Sequence, residues 1–206
     1  YEKNADGLWS QTNRFYKIVT NNEFGFHHYG NDIDINEEEN IIVVGSPGFI
    51  TRETLGSFDI IEKNADNEWS QTTIESPNRE NSNINDDNFG YSVAISENTI
   101  VVGDYSIGYI YIYEKTNNSW EISQEFTGNR NDFGWSVDID GNTIIASSPK
   151  VEGIIEIFEK DVSNTWIKQS YKLIPNNITN NQHFGNSVSI KDDIIVVGSD
   201  KDDITV

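Results

Sequence analysis

Cysteine is absent from the 206-residue chain, which excludes a disulfide framework, a thiolate metal site and a cysteine nucleophile. Methionine is absent as well, even at position 1, so the numbered chain reads as a processed or cropped piece of a longer product. Basic residues are scarce: 14 Lys and Arg stand against 34 Asp and Glu, a net charge of -20. Such a field repels phosphate backbones and anionic bilayers, and no nucleic acid is expected as a partner. No apolar run approaches the ~18 residues of a membrane helix. The first residues also lack the charged-then-apolar layout of a signal peptide, so no membrane insertion is expected within this segment. Long helices are missing too, because Gly, Asn and β-branched residues interrupt every candidate 3.6-residue period. No GxSxG, HExxH or Walker loop occurs.

What remains is enough for a folded core: 35% of the residues are hydrophobic and 12% aromatic. The acidic residues are scattered between apolar runs, as on a solvated surface. The chain also repeats itself. YEKNADGLWSQ at the start returns as IEKNADNEWSQ at 61–71. Aligning on an aromatic-Gly pair gives four copies: YGNDIDINEEENIIVVGSP from Tyr29, FGYSVAISENTIVVGDY from Phe89, FGWSVDIDGNTIIASSP from Phe133 and FGNSVSIKDDIIVVGSD from Phe184. Alternating runs ending in Glu-Lys follow the first three: GSFDIIEK (56–63), GYIYIYEK (108–115) and GIIEIFEK (153–160). Each run leads to a tryptophan, Trp69, Trp120 or Trp166, and the opening YEK leads likewise to Trp9.

Apolar alternation rich in Val, Ile, Tyr and Phe, bounded by Gly, Asn and Asp, is the period-two pattern of strands. A repeat of 44–60 residues holding four short strands fits a propeller blade. The expected fold is therefore all-β: a β-propeller, or part of one, of four-stranded antiparallel blades. In the clearest copy the strands read FGYSVAI (89–95), TIVVGD (99–104), GYIYIYEK (108–115) and SWEISQEF (119–126). The single region 1–206 divides into a half blade with strands three and four (1–19), blades at 29–74, 89–126 and 133–173, and a half blade with strands one and two (184–206). Phe89, Phe133 and Phe184 are expected to wedge between blades, and the tryptophans to serve packing. The two halves could close a four-bladed ring, belong to a larger ring of which the chain is a fragment, or be completed by neighbouring copies.

The pattern FGxSVxI, then IVVG with Ser-Pro or a near equivalent, then GxxYIYEK and a tryptophan strand, resembles the FG-GAP repeat of integrin alpha subunits and microbial surface proteins. The resemblance implies a β-propeller, an extracellular or cell-surface location and a role in adhesion. It also implies a protein or glycan ligand on the face carrying the loops between strands four and one and between strands two and three. Calcium-binding relatives carry a DxDxDG-type loop between strands one and two, since that ion takes six to eight oxygens. Here three of the four loops, SEN (96–98), DGN (140–142) and KDD (191–193), are too short. Only DIDINEEEN (32–40) is longer, with Asp34, Asn36 and Glu38 as a candidate calcium set and a solvated acidic hairpin as the alternative. No other cofactor is expected.

Length variation concentrates in the loops of one face, which in a repeat array marks the binding side. Phe49, Arg52, Asn83, Asp86, Asp87, Tyr105, Asn131 and Asp132 are the ligand-binding candidates there, and Trp135 either lines the channel or packs between blades. His27 and His28 are sequence neighbours that point to opposite sides of a strand, and no histidine is assigned a catalytic role. Asn117 and Asn177 head glycosylation sequons. A non-catalytic recognition module is the reading. The alternatives are a building block of a surface appendage or filament, in which copies of the chain are the partners, and a propeller-type hydrolase or its auxiliary domain. Carboxylates from several blades meeting on the axis would mark the hydrolase.

Overall fold

The computed structural model describes residues 1–16, 26–36, 38, 40–49, 55–77, 88–128, 132–150, 153–175 and 183–200. All regular structure among them is strand. In chain order these are β1 (Glu2–Lys3), β2 (Trp9–Ser10), β3 (Phe26–His27), β4 (Ile33–Asn36), β5 (Ile41–Ser46), β6 (Gly48–Phe49), β7 (Ser57–Lys63) and β8 (Trp69–Glu75). They continue as β9 (Ser92–Ser96), β10 (Thr99–Asp104), β11 (Tyr109–Thr116), β12 (Ser119–Thr127), β13 (Val137–Asp140), β14 (Thr143–Ser148), β15 (Ile154–Lys160), β16 (Trp166–Leu173), β17 (Ser187–Lys191) and β18 (Ile194–Gly198).

Three four-stranded antiparallel sheets form: β4-β5-β7-β8, β9-β10-β11-β12 and β13-β14-β15-β16. They are the first, second and third blades of a partial β-propeller. A two-stranded sheet stands at either end, β1-β2 and β17-β18, and β3 pairs with β6 as a small extra ribbon. A closed four-bladed ring would need β1 to pair with β18 of the same chain. Among the described residues the two belong to separate sheets. No helix there is long and apolar enough to cross a membrane.

The turns follow from residue type. Asn117 and Asn118 both take positive φ (52° and 64°) between β11 and β12, the conformation that makes Asn favourable in a two-residue hairpin turn. Asn4, Asn64 and Asp161 close the other third-to-fourth connections: Asn64 Oδ1 accepts from the backbone N–H groups of Asp66 and Glu68, both at 2.9 Å. These side-chain caps explain why the letters NADxxW recur.

The aromatic-Gly pair departs from its expected place inside the first strand: Phe89-Gly90 and Phe133-Gly134 form turns immediately before β9 and β13. Gly90 and Gly134 sit at φ 83° and 86°, a region open to glycine and costly for other residues. The turn drops each Phe between blades. Phe89 lies against Phe58 of the first blade, centroids 5.8 Å apart, and against Tyr111 of its own, 5.3 Å apart.

The core is a series of inter-blade layers. Ile41, Val43, Phe58 and Ile60 of the first blade pack against Phe89, Val93, Ile95, Ile100, Val102, Tyr111 and Tyr113 of the second. Val101, Ile110 and Ile112 pack on Phe133, Ile144, Ala146, Phe158 and Trp166 of the third. Ile145, Ile155 and Ile157 meet Ile190 of the last pair. Each fully buried side chain of this kind contributes about 1.5–3 kcal/mol. Not every tryptophan joins: Trp166 is buried, whereas Trp9 is exposed.

Candidate functional site

Antiparallel order puts the second-to-third and fourth-to-first connections of every blade on one face, here called the upper face. On it, three rings from two blades meet. Tyr91 and Trp135 are the residues that follow the aromatic-Gly turns of the second and third blades, and Tyr105 stands in the connection after β10. Tyr91 and Tyr105 are 4.5 Å apart edge to face. Trp135 lies 5.1 Å from Tyr91 and 4.8 Å from Tyr105. These spacings suit favourable aromatic pairing. All three rings are half-buried, and Lys150, from the connection after β14, holds its ammonium 5.2 Å from the Tyr105 ring and 5.3 Å from the Trp135 ring.

Polar anchors surround the rings. Asp132 is buried and accepts from the Lys150 backbone N–H at 2.5 Å, which fixes the loop that presents the lysine. Asp104 accepts from the backbone N–H and hydroxyl of Ser106 at 3.2 and 2.6 Å, closing the Tyr105 turn. Burial, and then the charge of Asp32, push the Tyr91 hydroxyl pKa upward. The site is thus a rigid aromatic surface with one cation at its edge, suited to stacking and hydrogen bonding.

Of the sequence candidates, Tyr105 and Asp132 belong to this cluster, and Trp135 packs between blades with part of its ring at the surface. Phe49 lies in β6, paired with Phe26. Arg52, Asn83, Asp86, Asp87 and Asn131 lie outside the described residues, as does the Asn177 sequon. Asn117 is in the exposed hairpin on the opposite face. His27 pairs with Gly48 in the small ribbon, and His183 Nδ1 is 2.9 Å from Asp200 Oδ1.

The candidate calcium residues have other work. Asp34 Oδ2 accepts from the Ile95 N–H of the next blade at 2.7 Å, and its Oδ1 accepts from Ile35 N–H at 2.8 Å. Asn36 donates to the Glu97 carbonyl at 3.1 Å, and Glu38 is exposed. Asp32 behaves like Asp34, accepting from Val93 N–H at 2.8 Å. Asp138 repeats the relation two joints later, from the third blade to β17, with Ile190 N–H at 2.7 Å, and Asp140 with Asp192 N–H at 2.6 Å. The innermost strands β9 and β17 therefore have N–H groups capped by carboxylates of the preceding blade, whereas at the second–third joint Ser96 Oγ accepts from Gly141 N–H at 3.0 Å. This satisfies an edge that would otherwise be exposed. Desolvation raises the pKa of Asp32 and Asp34, and Asp138 adds its like charge.

A second device escapes a reading of the sequence, although the recurring Glu-Lys before each tryptophan is its signal. Glu62 of the first blade accepts from Lys115 (2.8 Å) and from Trp120 Nε1 (3.3 Å) of the second. Glu114 takes Lys160 (2.8 Å) and Trp166 Nε1 (3.3 Å) of the third, and Glu2 takes Lys63 (3.0 Å). Each lysine also lies over its own tryptophan, 5.2 to 5.7 Å away.

The family described as FG-GAP repeat matches residues 84–113 and 166–205. The chain thus carries sequence similar to the FG-GAP repeat in its second blade and around its last strand pair. No curated protein matches it. The two FG-GAP matches cover the opening half of the second blade and the junction from β16 into the last strand pair. The FG letters mark the turn that seats Phe89 and Phe184, and the glycine of IVVG marks the strand-two position against which the next turn packs.

Proposed function

We propose that this chain is a non-catalytic recognition module of a cell-surface or secreted protein, and that it takes a protein or glycan ligand on its upper face. The observation that carries this reading is the convergence of Tyr91, Tyr105 and Trp135 from two blades into one half-buried cluster on the face with the longest loops. Aromatic side chains dominate binding hot spots because they present large rigid area at little entropic cost. The net charge of -20 favours ligands with a basic surface by steering their approach.

The non-catalytic reading draws support from the axial carboxylates. Those of the first and third blades do approach one another, as the hydrolase alternative requires. Yet Asp32, Asp34 and Asp138 each have both oxygens engaged by backbone N–H groups, an arrangement for holding blades together. The test is binding of the labelled chain to an array of glycans and an array of surface-protein ectodomains. Tyr105→Ala and Trp135→Ala are each expected to reduce binding at least tenfold. Tyr171→Ala, at an exposed aromatic on β16, should leave it unchanged. Equal binding by all four proteins would overturn the proposal.

A further inference from the structure

Away from the recognition face, we propose that the outer edge of the first blade, strand β8, is a site of strand addition that takes an extended, basic segment of a partner protein. Each complete blade ends in an outer strand with one side unpaired, and edges of that kind are normally protected by bulges or by charge. The three outer strands differ in that protection.

Two of them carry both devices. Along β12 the pairing with β11 shifts between Ile112 and Tyr113, which leaves Ser123 as an extra residue, and Glu121 and Glu125 stand exposed on either side of it. Along β16 the pairing with β15 shifts between Glu156 and Phe158, and Lys168 and Lys172 flank the break. Bulges of this kind twist an edge away from a flat partner. Strand β8 has neither device. Its residues pair with β7 one to one, from Trp69 opposite Lys63 to Glu75 opposite Ser57, and only the last of them, Glu75, is charged. Trp69, Thr72, Thr73 and Ile74 are moreover residue types that favour the pleated conformation.

The two ends of the β7-β8 ladder set its hydrogen-bonding direction. Ser76 N–H donates to the Gly56 carbonyl and Asn64 N–H to the Glu68 carbonyl, both at 2.9 Å. Bonded positions alternate along an antiparallel pair, so Ser70, Thr72 and Ile74 bond to β7. The N–H and C=O groups of Trp69, Gln71 and Thr73 then face outward. Among the described residues no backbone group bonds to them. Such a row of donors and acceptors has the spacing that an incoming strand requires.

Charge selects the occupant. Each copy of the chain carries a net charge of -20, and the mutual repulsion of two copies opposes pairing of β8 with itself. Asp66 and Glu68 are exposed in the turn that leads into β8, and no Lys or Arg occurs from Asn64 to Asn78. The edge therefore lies in an acidic field, complementary to a strand with Lys or Arg at its ends. Backbone bonds supply the affinity and the flanking cations the preference.

The test is selection of a displayed library of random peptides on the 206-residue chain, followed by NMR and calorimetry of the enriched peptides. These should be rich in β-branched residues with basic flanks. On binding, the Gln71 and Thr73 amides should exchange at least tenfold more slowly, while the outward amides of β12 and β16 stay unchanged. Thr73→Pro deletes one outward donor and keeps the bonds to β7, a change that edge strands tolerate; it should retain the parent circular dichroism spectrum and lose at least tenfold in affinity. Thr72→Lys leaves the backbone intact, sets a like charge on an exposed position against the basic segment and should also weaken binding. Tyr105→Ala should bind these peptides as the parent does, which separates the edge from the upper face. Failure to enrich any peptide, enriched peptides that leave the β8 amides unprotected, or parent-like binding by both β8 variants would each overturn the proposal. Protection of the β8 amides that grows with protein concentration in the absence of peptide would make a second copy the occupant and overturn it as well.

Discussion

Gly45 of the first blade and Gly90 of the second meet backbone to backbone, so closely that a Cβ on Gly45 would stand 2.2 Å from the Gly90 carbonyl oxygen. Gly103 and Gly134 repeat the contact at the next joint, where the corresponding distance is 2.1 Å. The glycine of IVVG and the glycine of the aromatic-Gly turn are thus two sides of one contact. Gly45→Ala should cost about 1–3 kcal/mol through overpacking. Gly90→Ala, which adds a residue at positive φ, should cost about 2–4 kcal/mol. Gly141, at φ 54° and with nothing within 4 Å of where an added methyl would stand, serves as the control for conformational strain alone. Thermal denaturation should rank the melting points Gly141→Ala above Gly45→Ala above Gly90→Ala.

Removing an axial carboxylate strands a backbone donor. Asp34→Ala leaves the Ile95 N–H without its acceptor and should cost about 1–3 kcal/mol. Asp34→Asn keeps an acceptor and should cost less. Amide exchange gives the local readout: the Ile95 amide should exchange faster in Asp34→Ala, and the Ile190 amide faster in Asp138→Ala, with each effect confined to its own joint.

The same carboxylates make a pH prediction. Burial raises Asp32 and Asp34 above the ordinary aspartate value, so the native state holds protons more tightly than the unfolded chain. Their ionisation cost is present in full above the folded pKa and is relieved as pH falls through it towards the unfolded value. Asp140 and Asp161 are shifted the opposite way, Asp140 first by Lys191 and Asp161 first by the Thr165 N–H; their contribution is lost as pH falls through their lowered values. Carboxyl NMR titrations should place Asp32 and Asp34 above Asp140 and Asp161. Asp34→Asn should flatten the mild-acid side of the stability profile.

The Glu-Lys-Trp clasp should be worth little per copy. Glu62 and Lys115 are about a quarter exposed, and pairs so placed give roughly 0.2–1 kcal/mol. A double-mutant cycle on Glu62→Gln and Lys115→Gln should return a coupling in that range that falls with added salt. By contrast Trp166→Ala should cost about 3–5 kcal/mol, because that ring is buried in the layer between the second and third blades.

Much of the architecture is legible in the letters, since a period-two run bounded by Asn and Gly has few other solutions. What the letters hide is whatever needs two blades at once. Asp32 and Asp34 resemble the beginning of a metal loop until the N–H groups of Val93 and Ile95 are seen opposite them. Tyr105 and Trp135 are thirty positions apart in sequence, and only the stacking of the second and third blades brings their rings together. Crowding at the aromatic-Gly pair comes from the neighbouring blade's backbone against a turn, whereas the sequence pattern suggests an inner strand close to the axis. Trp9 departs from the packing role of its repeat and stands exposed on the two-stranded β1-β2 sheet.

The joint between the first and second blades is pinned twice, by carboxylates on the innermost strand, as from Asp32 to Val93, and by a clasp two strands farther out, from Glu62 to Lys115. Strands are spaced by about 4.8 Å, so the two pins stand about 10 Å apart and oppose hinging of one sheet against the next. The angle between these two neighbours is therefore set by the pair itself and needs no closed circle to impose it.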